Sequence, residues 1–172
     1  GRRRDARARM GGSELVGESA AGFAEALPDG GALIGLDLGT KTIGIAVCDA
    51  GWRFATGLKT LPRGKFGRDR DELRAIMEGR RVRGLVIGLP RNMDGSEGPR
   101  AQASRAYARN LAEAFGLPVL LWDERWSTKS ADDAMIGLDV SRRKRAERID
   151  AEAAAVILQA AIDAATGSPL DF

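Results

Sequence analysis

Apolar positions along the chain change their period several times, and each change marks an element. From Leu33 to Asp49 the sequence runs LIGLDLGTKTIGIAVCD. Strand alternation puts Leu33, Gly35 and Asp37 on one face and Ile34, Leu36 and Leu38 on the other. A tight turn at Gly39 and Thr40 leads into a second strand, where Ile43, Ile45 and Val47 alternate with Gly44, Ala46 and Cys48. The small set predicts an element packed closely on that face. A third strand is expected at about 54–61. The period then lengthens, and a helix is predicted over 69–80, with Leu73, Ile76 and Met77 inward and Asp69 at its start.

GLVIGL at 84–89 is a short continuous apolar run, the pattern of a strand buried on both faces. A loop rich in turn residues follows, RNMDGSEG. Pro99 suits the first position of a helix. That helix is expected to reach Phe115, with Ala103, Tyr107, Leu111 and Phe115 every fourth residue and Gly116 as its stop. PVLLW at 118–122 predicts a second buried strand. A helix near 127–137, a basic loop over 141–148 and a last helix over about 149–165 complete the chain.

The order β-β-β-α-β-α-β-α-α predicts an α/β fold. Helices linking the later strands imply parallel neighbours and right-handed crossovers. A meander continued by two parallel strands gives a five-stranded mixed sheet, order 3-2-1-4-5, with helices on both faces. The C-terminal ends of strands 1, 4 and 5 then meet at one edge, beside the topological switch point where open α/β sheets bind ligands. Ahead of the sheet, 1–18 reads as a basic disordered arm and 19–27 as a short amphipathic helix. The expected organisation is an N-terminal extension at 1–30, one domain at 31–167 and a tail at 168–172.

The 172 residues are 44% hydrophobic and 30% charged, ordinary for a soluble globular protein. No apolar run approaches the roughly 20 residues of a membrane helix, and the basic N-terminus has no apolar segment behind it. A cytoplasmic location and no membrane partner are expected. The single Cys48 reads as a small buried residue. The chain has no histidine. That excludes a Ser-His-Asp triad and any His-ligated metal site. Any hydrolysis must therefore rest on carboxylates and hard cations.

The net charge of +3 conceals a pattern. Residues 1–9 hold five Arg and one Asp; residues 10–30 hold four acids and no Lys or Arg. Basic clusters follow at Arg63, Lys65, Arg68 and Arg70, at Arg80, Arg81 and Arg83, and at Arg142, Arg143, Lys144, Arg145 and Arg148. Charge runs usually mark solvated loops and helix ends. Only the last cluster is read as functional, because it immediately precedes Asp150.

Asp37 is a charge at the end of a strand built for burial. It either caps the turn through backbone N–H groups or shares a cation, and this stretch alone supports both readings. Glu124 follows the fifth strand. Asp150 is expected in the first turn of the last helix, on a face smoothed by Ala153 and Ala154 and continued by Ile157 and Ala161. A helix-dipole role explains its position but not the smooth face. Three acids at one edge without histidine suit metal-assisted phosphodiester hydrolysis, with two ions roughly 3.5–4 Å apart.

Four blocks, DLGTKTIGIAVCD, IGLPRNMDGSEGP, WDERWST and RIDAEAAAVILQ, resemble in order and spacing the signature blocks of the YqgF family, also called RuvX. The resemblance spans about 32–163. It implies an RNase H-like fold and a nuclease, described in the family both as a Holliday junction resolvase and as the enzyme that matures the 5′ end of pre-16S rRNA. It implies catalytic and metal-binding roles for Asp37, Glu124 and Asp150, with Mg²⁺ or Mn²⁺ as cofactor. It also implies support from the loop carrying Pro90, Asn92, Asp94 and Gly95. It gives Lys41 and Arg125 a supporting role in contacting nucleic acid, either precursor rRNA or branched DNA. Read from the sequence alone, Lys41 contacts a phosphate, neutralises Asp37 or is an ordinary turn residue, and the 142–148 cluster, at the rim beside Asp150, would hold phosphates. The chain would act as a monomer or a homodimer. Trp126 departs from the pattern, standing where a small polar or aliphatic residue is more usual, and the Arg-rich arm lies outside the common core.

Two other readings compete. The first strand pair is also similar to the first phosphate loop of actin-like and sugar-kinase ATPases, but those need two such domains and this chain has one copy of the motif. A noncatalytic nucleic-acid-binding module of the same fold would have lost its acids, and here all three are present.

Overall fold

The computed structural model describes residues 12–126 and 142–167. Its sheet has six strands rather than five. β1 (Val16–Gly17) is followed by β2 (Ala32–Leu38), β3 (Thr42–Cys48), β4 (Ala55–Pro62), β5 (Val82–Leu89) and β6 (Val119–Asp123). They lie in the order β1-β6-β5-β2-β3-β4. From β2 onward this is the anticipated meander followed by two parallel strands. β2 pairs antiparallel with β3 and parallel with β5, which pairs parallel with β6.

The sixth strand lies in the stretch read as a disordered arm. β1 runs parallel to β6, with Val16 opposite Val119, and so covers what would otherwise be an exposed sheet edge. A turn of helix, α1 (Gly12–Leu15), precedes it, and Leu15 enters the core. Helix α2 (Ala20–Ala26) follows, capped by Ser19, whose side chain accepts from the Gly22 N–H at 3.0 Å. Residues 1–11 lie outside the described residues.

Each sheet face is closed by helices. Ile34, Leu36, Ile43, Ile45, Leu85, Ile87 and Leu121 pack with α3 (Phe66–Met77) and α4 (Pro99–Phe115). The buried stripe of α4 runs through Ala101, Ser104, Tyr107, Ala108, Leu111 and Ala112. Ala103, assigned inward by the period-four reading, is exposed; a true 3.6-residue repeat rotates it off the core face. Asp69 is buried in the first turn of α3, accepting from the Gly64 N–H at 2.9 Å and from the Tyr107 hydroxyl at 3.1 Å.

The opposite face carries Leu33, Ala46, Cys48, Val86 and Leu120, against α2 and the last helix, α5 (Arg142–Thr166). The small residues expected to admit a close neighbour do so. A Cβ at Gly44 would run into the Asp150 carbonyl oxygen, and one at Gly35 would lie 2.7 Å from the Leu158 Cβ. The glycines thus bring the α5 backbone almost onto the sheet. The expected basic loop over 141–148 is corrected from residue 142 onward, where the chain is already helical. Arg, Lys, Ala and Glu all favour helix, but residues 142–148 carry a single apolar residue, Ala146, and one position has no period to show. Asp150 therefore stands in the third turn of α5, not the first, and the helix-dipole account of it fails. The helix expected at 127–137 lies outside the described residues.

Candidate active site

β2, β5 and β6 point the same way, so their C-terminal ends share one edge of the sheet. Asp37 is the penultimate residue of β2 and faces α5, like Leu33 and Gly35. Glu124 opens a 3₁₀ turn, Glu124–Trp126, directly after β6. The central strand β5 separates them, and its Gly88 leaves the gap open. A Cβ there would collide with the Glu124 Oε1 and lie 2.8 Å from the Ile157 Cδ1. Glu124 folds over this bare position and shares a hydrogen bond with Asp37.

Both carboxyls hold protons more tightly than usual. Burial is the main cause for Asp37, followed by the charge of Asp150. Glu124 is pushed up to about 7, by burial first and then by Asp37. Arg100, in the first turn of α4, counteracts both shifts. Its guanidinium is fixed at this edge, Nη2 donating to the Leu38 carbonyl at 3.2 Å.

Asp150 arrives from the α5 side. The Thr42 Oγ1, at the start of β3, donates to its Oδ2 at 2.8 Å. A Cβ at Gly57 would meet the Ala151 carbonyl oxygen at 3.0 Å, so β4 also receives the helix backbone closely here. The three acids foreseen from sequence are thus gathered at one edge: Asp37 and Glu124 in contact, Asp150 coupled to Asp37 by charge. Among the described residues, no three acidic, histidine or cysteine side chains are arranged as a closed ligand set for one ion. The chemistry of the Asp37–Glu124 pair does fit a hard divalent cation. Its donors are half-buried, mutually repelling carboxylate oxygens, and a cation would offset the desolvation and repulsion that now favour protonation.

The other anticipated residues divide. Arg125 turns inward, its Nη2 2.7 Å from Asp123 Oδ2 and its Nε 3.0 Å from Oδ1. Its Nη1 donates to the Met93 carbonyl at 3.3 Å, and its guanidinium lies 5.0 Å from the Trp126 ring centroid. The 90–98 loop is braced from within. The Asn92 N–H donates to the Ser96 carbonyl at 2.9 Å, Asn92 Nδ2 to the Ser96 hydroxyl at 2.9 Å, and the Gly95 N–H to the Asn92 carbonyl at 2.9 Å. Asp94 accepts from the Ser96 N–H at 2.9 Å and hydroxyl at 2.6 Å, which lowers its proton affinity. Gly95 turns the loop at a φ of 89°, and Pro90, half-buried, joins it to β5. Lys41 is exposed in the β2–β3 turn. Arg142, Arg143, Lys144, Arg145 and Arg148 lie on the first two turns of α5, ahead of Asp150.

Sequence reasoning missed four contributors: Thr42, Gly88, Arg100 and Asp123. Asp123 is 9% exposed and anchors an ion network. Arg91 reaches it at 3.5 Å and Glu97 at 3.2 Å, and Arg105 forks onto Glu97 at 2.6 Å. Glu18, just after β1, pairs with both Arg91 and Arg105. The acids in WDER and GSEG were visible, but not that they face one another. A separate groove of about 1200 Å³, lined among others by Phe23, Leu27, Arg81, Arg83 and Leu120, opens at the N-terminal ends of the parallel strands, away from the acids.

A mixed α/β sheet with carboxylates at the C-terminal ends of its parallel strands defines the class. The model of the family described as "RuvX: Holliday junction resolvase" matches residues 31–164, and the chain belongs to that family. Relatives from Sphingopyxis alaskensis and Novosphingobium aromaticivorans are 62% and 61% identical, over 88% and 90% of this chain and 99% of each relative. Both bear the name "Putative pre-16S rRNA nuclease". Among solved structures, RuvC from Thermus thermophilus aligns over 80% of this chain and 97% of its own, at 15% identity and a TM-score of 0.47.

Proposed function

We propose that this chain is a metal-dependent endonuclease that hydrolyses phosphodiester bonds of structured nucleic acid, acting on the 5′ end of pre-16S rRNA. The observation behind this reading is the contact between Asp37 and Glu124 over the bare Gly88, with Asp150 brought alongside by Thr42. The relatives' name supports the substrate.

Asp37 and Glu124 would hold Mg²⁺ or Mn²⁺, and Asp150, aimed by Thr42, would complete the set. Such a cation supplies Lewis-acid activation of the hydrolytic water and the phosphate. The chain's own residues prepare the edge. Gly88 makes room for Glu124, Thr42 aims Asp150, and Arg100 offsets the charge of the acid pair. Asp123, clasped by Arg125 and Arg91, fixes the start of the turn that carries Glu124. Lys41 and the basic first turns of α5 would contact nucleic-acid phosphates, while Arg125, committed to Asp123, would serve the site through the Glu124 turn. Pro90, Asn92, Asp94 and Gly95 would shape the loop beside them.

The family description favours one second reading, resolution of four-way DNA junctions. Two symmetric cuts would then require a homodimer. A cleavage assay separates the two. The protein is given a precursor-rRNA 5′ fragment and a four-way DNA junction, with Mg²⁺, Mn²⁺ or EDTA. Metal-dependent cutting of the RNA fragment is expected. Symmetric cutting of the junction alone would replace the rRNA reading. Binding without cutting of either would point to the noncatalytic module.

A further inference from the structure

We propose that the β2–β3 turn and the β4–α3 loop form a phosphate-binding track, built from Lys41, Arg63, Lys65 and Arg68, that holds the nucleic-acid backbone on one side of the carboxylates. The proposal rests on the nucleic-acid reading above and assigns it a direction.

Topology places the track. β2 runs toward the carboxylate edge, β3 leaves it, and β4 returns with Pro62 opposite Thr42. The 39–41 turn and the 63–65 loop therefore lie side by side at the edge that carries Asp37. They are joined directly: the Arg63 N–H donates to the Lys41 carbonyl at 2.8 Å, and Arg63 Nη1 to the Gly39 carbonyl at 2.7 Å. Thr42, next to Lys41, bonds to Asp150. The track and the acids thus share one rigid piece of backbone.

Charge singles out this side. Lys41, Lys65 and Arg68 are exposed, and among the described residues none of them pairs with a carboxylate. On the other side of the acids, Arg91, Arg105 and Arg125 are all neutralised, by Glu18, Glu97 and Asp123. Asp69, next to Arg68 in the chain, is buried and turned toward Gly64 and Tyr107, and Asp71 pairs with Arg70. Arg63 is held rather than free, its guanidinium 5.3 Å from the Tyr107 ring centroid. Unopposed cations on a fixed loop beside a carboxylate cluster attract phosphates and lose that attraction as salt rises.

The test is the salt dependence of binding. Wild type, a Lys65→Ala/Arg68→Ala double variant and an Arg53→Ala/Arg80→Ala double variant are titrated with the precursor-rRNA fragment from low to high salt. Arg53 and Arg80 lie at the opposite end of the sheet, so the second variant matches the charge change. The track predicts that Lys65→Ala/Arg68→Ala binds about 10-fold more weakly at ~0.1 M salt and loses between one and two units of the log–log salt slope, while the control is unchanged. Melting curves confirm that both variants fold. Equal effects in the two variants, or none in the first, would overturn the track while leaving the nuclease reading intact, provided wild type still binds. A wild type that binds no nucleic acid would overturn both.

Discussion

The Thr42 hydroxyl donates a 2.8 Å hydrogen bond to Asp150 across 108 residues of chain. It ties the first turn of the meander to the helix that brings in the last of the three acids. Removing the hydroxyl leaves Asp150 free to rotate away from Asp37, and angstrom-scale displacement of a reacting group costs up to about 100-fold in rate. Thr42→Val keeps the strand and the side-chain shape. Its kcat should fall at least ~10-fold with KM little changed, and Thr42→Ser should restore most of the loss. Single-turnover cleavage measures both. Wild-type rates in Thr42→Val would mean that Asp150 needs no such partner.

Gly88 has no side chain because Glu124 occupies the place a Cβ would take. Gly88→Ala should displace Glu124 from Asp37 and overpack against Ile157. Overpacking typically costs ~1–3 kcal/mol, so urea unfolding should show a clear loss of stability. Activity should fall far more than stability does, which compares with Gly17→Ala, where a Cβ meets open space. Equal activity in the two variants would dissociate Glu124 from the site.

Much of this was legible in the sequence, for physical reasons. Alternation revealed β2 and β3, and a continuous apolar run revealed β5. The small residues opposite the core foretold the close approach of α5. β1 was not legible, because two residues cannot display a period and its pairing partner is about 100 residues away. The true start of α5 was hidden for the opposite reason: its charged first turns satisfy helix propensity without an apolar stripe. Arg100 read as an ordinary first-turn residue, since nothing local shows that α4 begins over the end of β2.

The ion network around Asp123 separates strong from weak contributions. Glu18 is 45% exposed, and pairs of that kind contribute ~0.2–1 kcal/mol. Asp123 is 9% exposed and satisfies two guanidinium groups. Breaking a buried pair from one side costs ~3–5 kcal/mol. Asp123→Ala should therefore lower the melting temperature by several degrees more than Glu18→Ala. Comparable losses would mean that the network is held from its exposed end.

Stability should depend on pH and on divalent cation together. Glu124 holds its proton up to about 7, against an ordinary value of 4.5. Between those values the folded protein binds a proton that the unfolded chain has released, so stability falls as pH rises through the window. In EDTA, the melting temperature should be lower at pH 8 than at pH 5.5. Mg²⁺ or Mn²⁺ should raise it more at pH 8, and Glu124→Gln should flatten the dependence. A melting temperature that rises across this window in EDTA would contradict the burial and repulsion ascribed to Glu124.

The central claim is that these carboxylates carry out the hydrolysis, and Asp37→Asn tests it most directly. The substitution removes a charge from the acid cluster and keeps the side-chain shape. Cleavage of the precursor-rRNA fragment and binding to it are measured on the same preparations, with Mn²⁺ and with EDTA. The account predicts at least a ~100-fold loss of cleavage with binding intact or strengthened. Cleavage by Asp37→Asn at the wild-type rate would contradict it, and would place the chemistry elsewhere on the chain.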